Sequence, residues 1–318
     1  MSKQTAYPYK VQTSVPELQY ETFDGAKFAY LFWPAAGGVP AKARILLIHG
    51  FGEYTKIQHR LMDHLALAGY ESFTFDQRGA GATSPGKLKG LTNEYYTFHD
   101  LEHFVSKNLA ECQESHTPLF LWGHSMGGGI CLNYACQGLH KNEIAGYATS
   151  GPLIVLHPHS QPNKATLVMS PLLAKMLPNV RIDTGLDLEG ITSDPQYRAF
   201  LQNDKPMSVP LYGSFRQIYD FLERGKKLAN GKTGYVSRNF PQDKPVLIQH
   251  GADDTINDPS ASANFIKICP SKDKILKTYP GMRHSILSLE TDSNFEDVFR
   301  DLEEWLDNHS EKPAATAA

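Results

Sequence analysis

A chain of 318 residues has room for one large α/β domain or two modest ones. Apolar residues make up 41 % and charged residues 20 %, an ordinary balance that supports a sizeable core. A net charge of −3 argues against nucleic acid as the main partner. Cys112, Cys131, Cys136 and Cys269 show no CxxC spacing, so neither a zinc site nor a disulfide framework is suggested. Reduced thiols in an intracellular protein fit that pattern.

In chain order, Met1 to Pro16 is polar, lacks an apolar signal core, and reads as a loosely held arm. Leu18 to Phe23 and Lys27 to Trp33, joined by Asp24-Gly25, form a predicted hairpin. Arg44 to Ile48 is a short apolar run of the kind buried on both faces, and it leads into His49-Gly50-Phe51-Gly52-Glu53. A helix with Leu61, Leu65 and Leu67 among its apolar positions ends at Gly69. Glu71 to Phe75 is the next strand, followed by the turn Asp76-Gln77-Arg78-Gly79-Ala80-Gly81. That turn lacks the third glycine of a dinucleotide fingerprint at the right spacing and opens no immediate helix. Phe98, Leu101, Phe104, Val105 and Leu109 fall at helical spacing between Tyr95 and Cys112.

The apolar run from Pro118 stops at Gly123-His124-Ser125-Met126-Gly127, and a helix is predicted from Met126 to Gln137. Gly-x-Ser-x-Gly between strand and helix is the pattern of a nucleophile elbow. Such a turn pushes the serine hydroxyl out over the sheet, and it leaves no room for side chains at Gly123 and Gly127. Ile144 to Ser150 is a further strand. Strand and helix resume at Lys244 to His250, Ser260 to Ile268, Ile275 to Tyr279 and Val298 to Asn308. The alternation predicts an α/β fold with a mainly parallel sheet and helices on both faces. Pro313 to Ala318 reads as a disordered tail.

The stretch from about His157 to Gly234 is too long for a plain loop. Ser170-Pro171 looks like a helix cap followed by proline at the first helical position. Leu172, Leu173, Met176 and Leu177 follow on one face, with Val168 and Met169 just ahead. A helix packed on the core is one reading. A cap with its apolar face partly open to lipid is the other, favoured by its place between two core strands. Tyr212 to Leu228 is predicted to return to the core as a second helix.

A serine needs a base, and the chain has thirteen histidines. His64, His99, His103 and His116 lie in or beside helices, and His157 and His159 in the predicted cap. His284 stands in Pro280-Gly281-Met282-Arg283-His284-Ser285, after the last strand, where open α/β sheets collect ligands. It also satisfies the chain order serine, acid, histidine. Asp253, Asp254 and Asp258 all qualify as the acid that orients it. Asp254, three residues after Gly251, is the choice. The oxyanion of an acyl-transfer intermediate needs donors. The backbone amides of Met126 and Phe51 are the expected pair.

Together His49 to Glu53, Gly123 to Gly128 and the Asp254 and His284 loops resemble the monoglyceride lipases of the α/β-hydrolase superfamily, fungal type. The likeness runs from about Tyr7 to His309. Thr83 stands where that family's Asp-x-x-Gly-x-Gly-x-Ser turn has serine. The resemblance implies an α/β-hydrolase core at 1–156 and 235–318, with an inserted helical cap at 157–234. It implies a serine ester hydrolase that cleaves monoacylglycerols to fatty acid and glycerol without metal or organic cofactor. Ser125, Asp254 and His284 would be the triad, Phe51 and Met126 the oxyanion amides, and Glu53 and His124 neighbours of the glycerol. Leu172, Leu173 and Met176 are expected to bind substrate from the cap. The implied setting is cytoplasmic, with peripheral contact to lipid droplets and membranes and no obligatory protein partner. A broader esterase, lysophospholipase or acyltransferase would share the triad. A non-catalytic lipid-binding member of the fold is the remote alternative.

Overall fold

The structure is a computed structural model and describes residues 6–38, 40–204 and 211–310. Its strands are β1 (Gln19–Phe23), β2 (Ala26–Trp33), β3 (Arg44–Ile48), β4 (Glu71–Phe75), β5 (Leu119–His124), β6 (Gly146–Ser150), β7 (Arg181–Asp183), β8 (Tyr212–Ser214), β9 (Val246–Gly251) and β10 (Lys274–Tyr279). The α-helices are α1 (His59–Leu67), α2 (Glu94–Ser115), α3 (Met126–Gln137), α4 (Lys164–Met176), α5 (Leu188–Ile191), α6 (Pro195–Asn203), α7 (Phe215–Ala229), α8 (Tyr235–Asn239), α9 (Pro259–Ile268) and α10 (Asp292–Ser310).

Eight strands form one sheet in the order β1-β2-β4-β3-β5-β6-β9-β10. The β1–β2 hairpin and the β2–β4 pair are antiparallel, and all pairs from β4 to β10 are parallel. The central strands β3, β5, β6 and β9 are buried along their whole length, which is why they read as continuous apolar runs. Separate apolar clusters cover the two sheet faces, one rich in residues from α2 and α3, the other from α1 and α10. The order and handedness put the C-terminal ends of β3, β5, β9 and β10 along one edge, where the candidate site assembles.

The N-terminal arm differs from expectation. Gln12 and Thr13 donate backbone amides to the Asp63 carboxylate at 2.7 and 2.9 Å, and Tyr9 Oη joins them at 2.5 Å. The Tyr7 ring packs edge-on to Tyr197 and Phe200, and its hydroxyl donates to Ser288 O at 3.1 Å. A buried carboxylate and an aromatic slot pin what composition alone suggested was loose. The reading of Pro313 to Ala318 as disordered lies outside the described residues.

Between β6 and β9 the chain departs from the sheet. Here β7 and β8 pair antiparallel, a feature absent from the sequence reading. The helix expected to begin at Ser170 begins instead at Lys164, capped by Asn163, whose side chain accepts the Thr166 amide at 2.9 Å. Pro171 lies inside α4. A proline there cannot donate to the carbonyl four residues back, that of Leu167. The Ser170 hydroxyl donates to that same Leu167 carbonyl at 2.8 Å, so the orphaned acceptor is satisfied and the helix runs through.

Candidate active site

Ser125 sits between β5 and α3 with φ of 54°, a left-handed value that a non-glycine residue adopts at a cost. The surrounding contacts enforce it. A Cβ on Gly127 would lie 2.0 Å from the Ile48 carbonyl oxygen, and one on Gly123 would lie 2.3 Å from that of Gly127. Strand and helix therefore pack backbone to backbone, and the serine is the residue that must take the bend. Its own carbonyl accepts amides from Gly129 and Leu153, at 3.0 and 2.8 Å, which anchors the turn on both sides.

Loops after β9 and β10 supply the other two residues. His284 Nδ1 donates to Asp254 Oδ2 at 2.7 Å. Oδ1 of Asp254 accepts the amides of Ile256 and Asn257 at 2.8 and 3.0 Å. Burial opposes the charged form of this carboxyl. The nearby His284 and the hydrogen bonds from its neighbours outweigh burial and hold it well below the usual carboxylate range. With Nδ1 engaged, His284 has Nε2 left for a proton acceptor's role. Ser125 and His284 line the same cleft, together with Phe51 and Met126. Met126 opens α3, so its amide belongs to the first turn, which has no intrahelical partner.

Glu53 closes the β3 loop on itself: its Oε2 accepts the Gly50 amide at 2.7 Å, and its own amide donates to Gly50 O at 3.3 Å. This keeps Phe51 at the crest of the loop. His124 Nδ1 donates to Ser150 O at 3.1 Å, while Nε2 faces Ser285 Oγ at 3.3 Å and Glu53 Oε1 at 3.5 Å. Burial lowers the His124 pKa to about 4, against the opposing pull of Glu53, so the ring is neutral at ordinary pH. It packs 4.8 Å from the His284 ring, centroid to centroid. Glu53 reaches the cleft wall; His124 is 1 % exposed and braces the wall from behind.

The cleft encloses about 1070 Å³, counting its open mouth. Leu153, Leu156, Ile218, Phe221, Leu222 and Ile256 give it an apolar wall. Glu53, Asp187, Ser285 and Asn257 give it a polar one. Leu172, Leu173 and Met176 were expected on this wall and are not there. Leu172 is 52 % and Met176 67 % exposed, Leu173 is half-buried, and only Ala174 of α4 is fully buried. The helix turns Ala174 inward and Val168, Met169, Leu172 and Met176 out. His159, set aside on placement in the sequence, lines the cleft instead. His250 was also missed, although it precedes Gly251 in the strand that leads to Asp254. Its Nε2 donates to Asp254 Oδ2 at 3.0 Å. Among the described residues no group of three or more His, Cys, Asp or Glu side chains is placed to hold a metal ion.

The sequence matches the Hydrolase_4 family (serine aminopeptidase, S33) over residues 39–292. A monoglyceride lipase of Saccharomyces cerevisiae is 70 % identical over 305 residues, which is 96 % of this chain and 97 % of that one. The chain belongs to the monoglyceride lipase family. It is a serine hydrolase of the α/β-hydrolase fold. A solved structure of a soluble variant of the Saccharomyces cerevisiae lipase, in complex with a substrate analogue, superposes with a TM-score of 0.93 at 68 % identity. That match covers 96 % of this chain and all of the other. A monoacylglycerol lipase of Paleococcus ferrophilus, at 24 % identity and a TM-score of 0.72, shares the fold over 89 % of this chain and 99 % of that one.

Proposed function

We propose that this chain hydrolyses monoacylglycerols through an acyl-enzyme on Ser125, with His284 as the base, Asp254 as its orienting acid, and the Phe51 and Met126 amides as the oxyanion donors. The observation that carries the assignment is geometric. A strained serine opens into the same cleft as an imidazole whose far nitrogen is tied to a buried carboxylate. The acyl chain lies along the apolar wall, and the glycerol moiety faces the polar one near Glu53. His284 takes the Ser125 proton as the hydroxyl attacks the ester carbonyl. The same proton then goes to the departing glycerol oxygen. Water, activated by the freed imidazole, releases the fatty acid and restores the serine.

The stretch 157–234 acts as the cap, and α4 is its lipid-facing surface. Val168, Met169, Leu172, Met176, Leu177 and Val180 leave a large apolar area open on one helix and the turn after it. Soluble surfaces seldom carry such a patch without a use. Among the described residues no helix is long and apolar enough to cross a membrane, so this contact with a droplet or bilayer is peripheral.

Ser125→Ala tests the core of the proposal. Turnover of a monoacylglycerol falls by roughly 10⁴-fold or more, with an unchanged circular dichroism spectrum, and a fluorophosphonate probe no longer labels the protein. A purified variant that still turned over at the parent rate would overturn the assignment.

A further inference from the structure

Asp254 serves two imidazoles. Its Oδ2 accepts His284 Nδ1 at 2.7 Å and His250 Nε2 at 3.0 Å, while Oδ1 is taken by the amides of Ile256 and Asn257. His250 is the last residue but one of the buried strand β9 and is itself fully buried. Its Nδ1 lies 2.8 Å from Ser262 Oγ on α9. For a neutral His250 ring the proton inventory of this cluster has one consistent solution. A carboxylate only accepts, so Nε2 of His250 carries the proton and Nδ1 accepts the Ser262 hydroxyl. The carboxylate thereby sets the tautomer, and the Ser262 hydroxyl holds the ring in place from its other nitrogen.

We propose that His250 is a positioning residue of the hydrolytic site, a second donor that shares the Asp254 oxygen with His284 and so limits how strongly that acid stabilises the His284 imidazolium. The inference rests on the triad proposed above. Its logic is competition at one atom. Each hydrogen bond donated to Oδ2 withdraws electron density that the other would otherwise receive. With the His250 donor present, His284 stays neutral, and therefore a competent base, to lower pH. With it absent, the full charge of Asp254 falls on His284 and its pKa rises. The other groups that face His284 are His124, with Glu53 behind it, and Asp187 and His159 across the cleft. All of these stay in place when His250 is changed.

The test compares His250→Leu, which removes the donor, with His250→Gln, whose amide can still donate to Asp254. Two readouts are taken. One is the acid limb of kcat/KM on a short, water-soluble p-nitrophenyl ester. The other is the NMR titration of the His284 ring in the Ser125→Ala background. In His250→Leu both the limb and the ring titration move up by about one pH unit, so that at a pH on the limb kcat falls while KM holds. His250→Gln brings both back toward the parent values. If His250→Leu does not fold, Ser262→Ala takes its place, since it frees the ring to turn away from Asp254; a smaller shift of the same sign is expected. Unchanged titration in Leu or Ala variants, or equal shifts in Leu and Gln variants, would overturn the proposal. Failure of the triad itself would show separately, as turnover by Ser125→Ala.

Discussion

The core site and the cap are built on opposite terms. Around the buried Asp254 carboxylate four donors converge, and at the Ser125 turn glycine backbones meet at distances no side chain would permit. In the cap, α4 buries only Ala174 and shows large apolar side chains to solvent. The first arrangement makes a fixed geometry, which bond-making requires. The second leaves a surface whose apolar area is satisfied only by something that arrives. On the function proposed above the two serve different ends, chemistry in the core and contact with a lipid surface at α4, in separate parts of the chain.

The sharpest way to break the core is Asp254→Asn. Four donors converge on the carboxylate, two imidazoles and two amides. An amide nitrogen in place of either oxygen would face donors of its own kind. His284 would then hold the wrong tautomer, with no lone pair aimed at Ser125. The expected loss in kcat is roughly 10⁴-fold with KM little changed. Steady-state kinetics on a soluble ester would measure it, and a loss below tenfold would show that another group orients His284.

That difference also explains what the sequence could reveal. The centre of the sheet was legible because its strands are buried on both faces and so carry apolar runs, as in Ile45 to Ile48 and Leu119 to Trp122. The turn at Ser125 was legible because steric necessity writes glycines around it. The stretch 157–234 was legible in outline only. β7 and β8 are too short to carry a periodic signal. The α4 start was misplaced because Ser170-Pro171 imitates a cap, whereas its hydroxyl serves an interior carbonyl. Asp194-Pro195 at the head of α6 carries the same signal honestly, with Asp194 accepting the Gln196 amide at 2.7 Å, and was available to be read. Leu172 and Met176 could not be assigned to the cleft or to solvent by spacing alone. Either face of α4 has apolar residues, and only the tertiary position of Ala174 decides between them. His250 was hidden for a different reason: a histidine in a buried strand has no sequence mark of its partner.

A second measurement sharpens the account of the core through pH. His124 is neutral when folded, with its pKa lowered from 6.5 to about 4 by burial. The unfolded chain takes up that proton as pH falls below 6.5 and the folded chain does not, so folding stability declines on acidification toward pH 4. Between pH 7 and pH 5 this one residue accounts for a loss of about 2 kcal/mol. In His124→Phe, which keeps the ring between Trp122 and His284 but cannot titrate, the loss over that interval is smaller by the same amount. Urea unfolding at the two pH values would read it. Parallel curves for parent and variant would mean that His124 takes up its proton as readily in the folded chain as in the unfolded one.

The smallest effect is expected from the cap, and it depends on how the substrate is presented. Val168 and Met176 are 78 % and 67 % exposed and do not line the cleft. Replacing both with serine therefore costs the folded protein little, since solvent already surrounds them. Neither change touches the route of a small ester to Ser125. What it removes is the apolar area available to a lipid surface, worth about 1.5–3 kcal/mol for each side chain if burial were complete and less for shallow insertion. Val168→Ser/Met176→Ser should hydrolyse a short soluble ester as the parent does. On monoacylglycerol carried in vesicles it should be slower by about three- to tenfold, the deficit shrinking as lipid concentration rises and binding saturates. A deficit of equal size on both substrates would place α4 over the cleft after all. No deficit on either would leave its apolar face without a role at the interface. Only a loss confined to vesicles matches a site whose chemistry is held in the core while its access to substrate is governed by the cap.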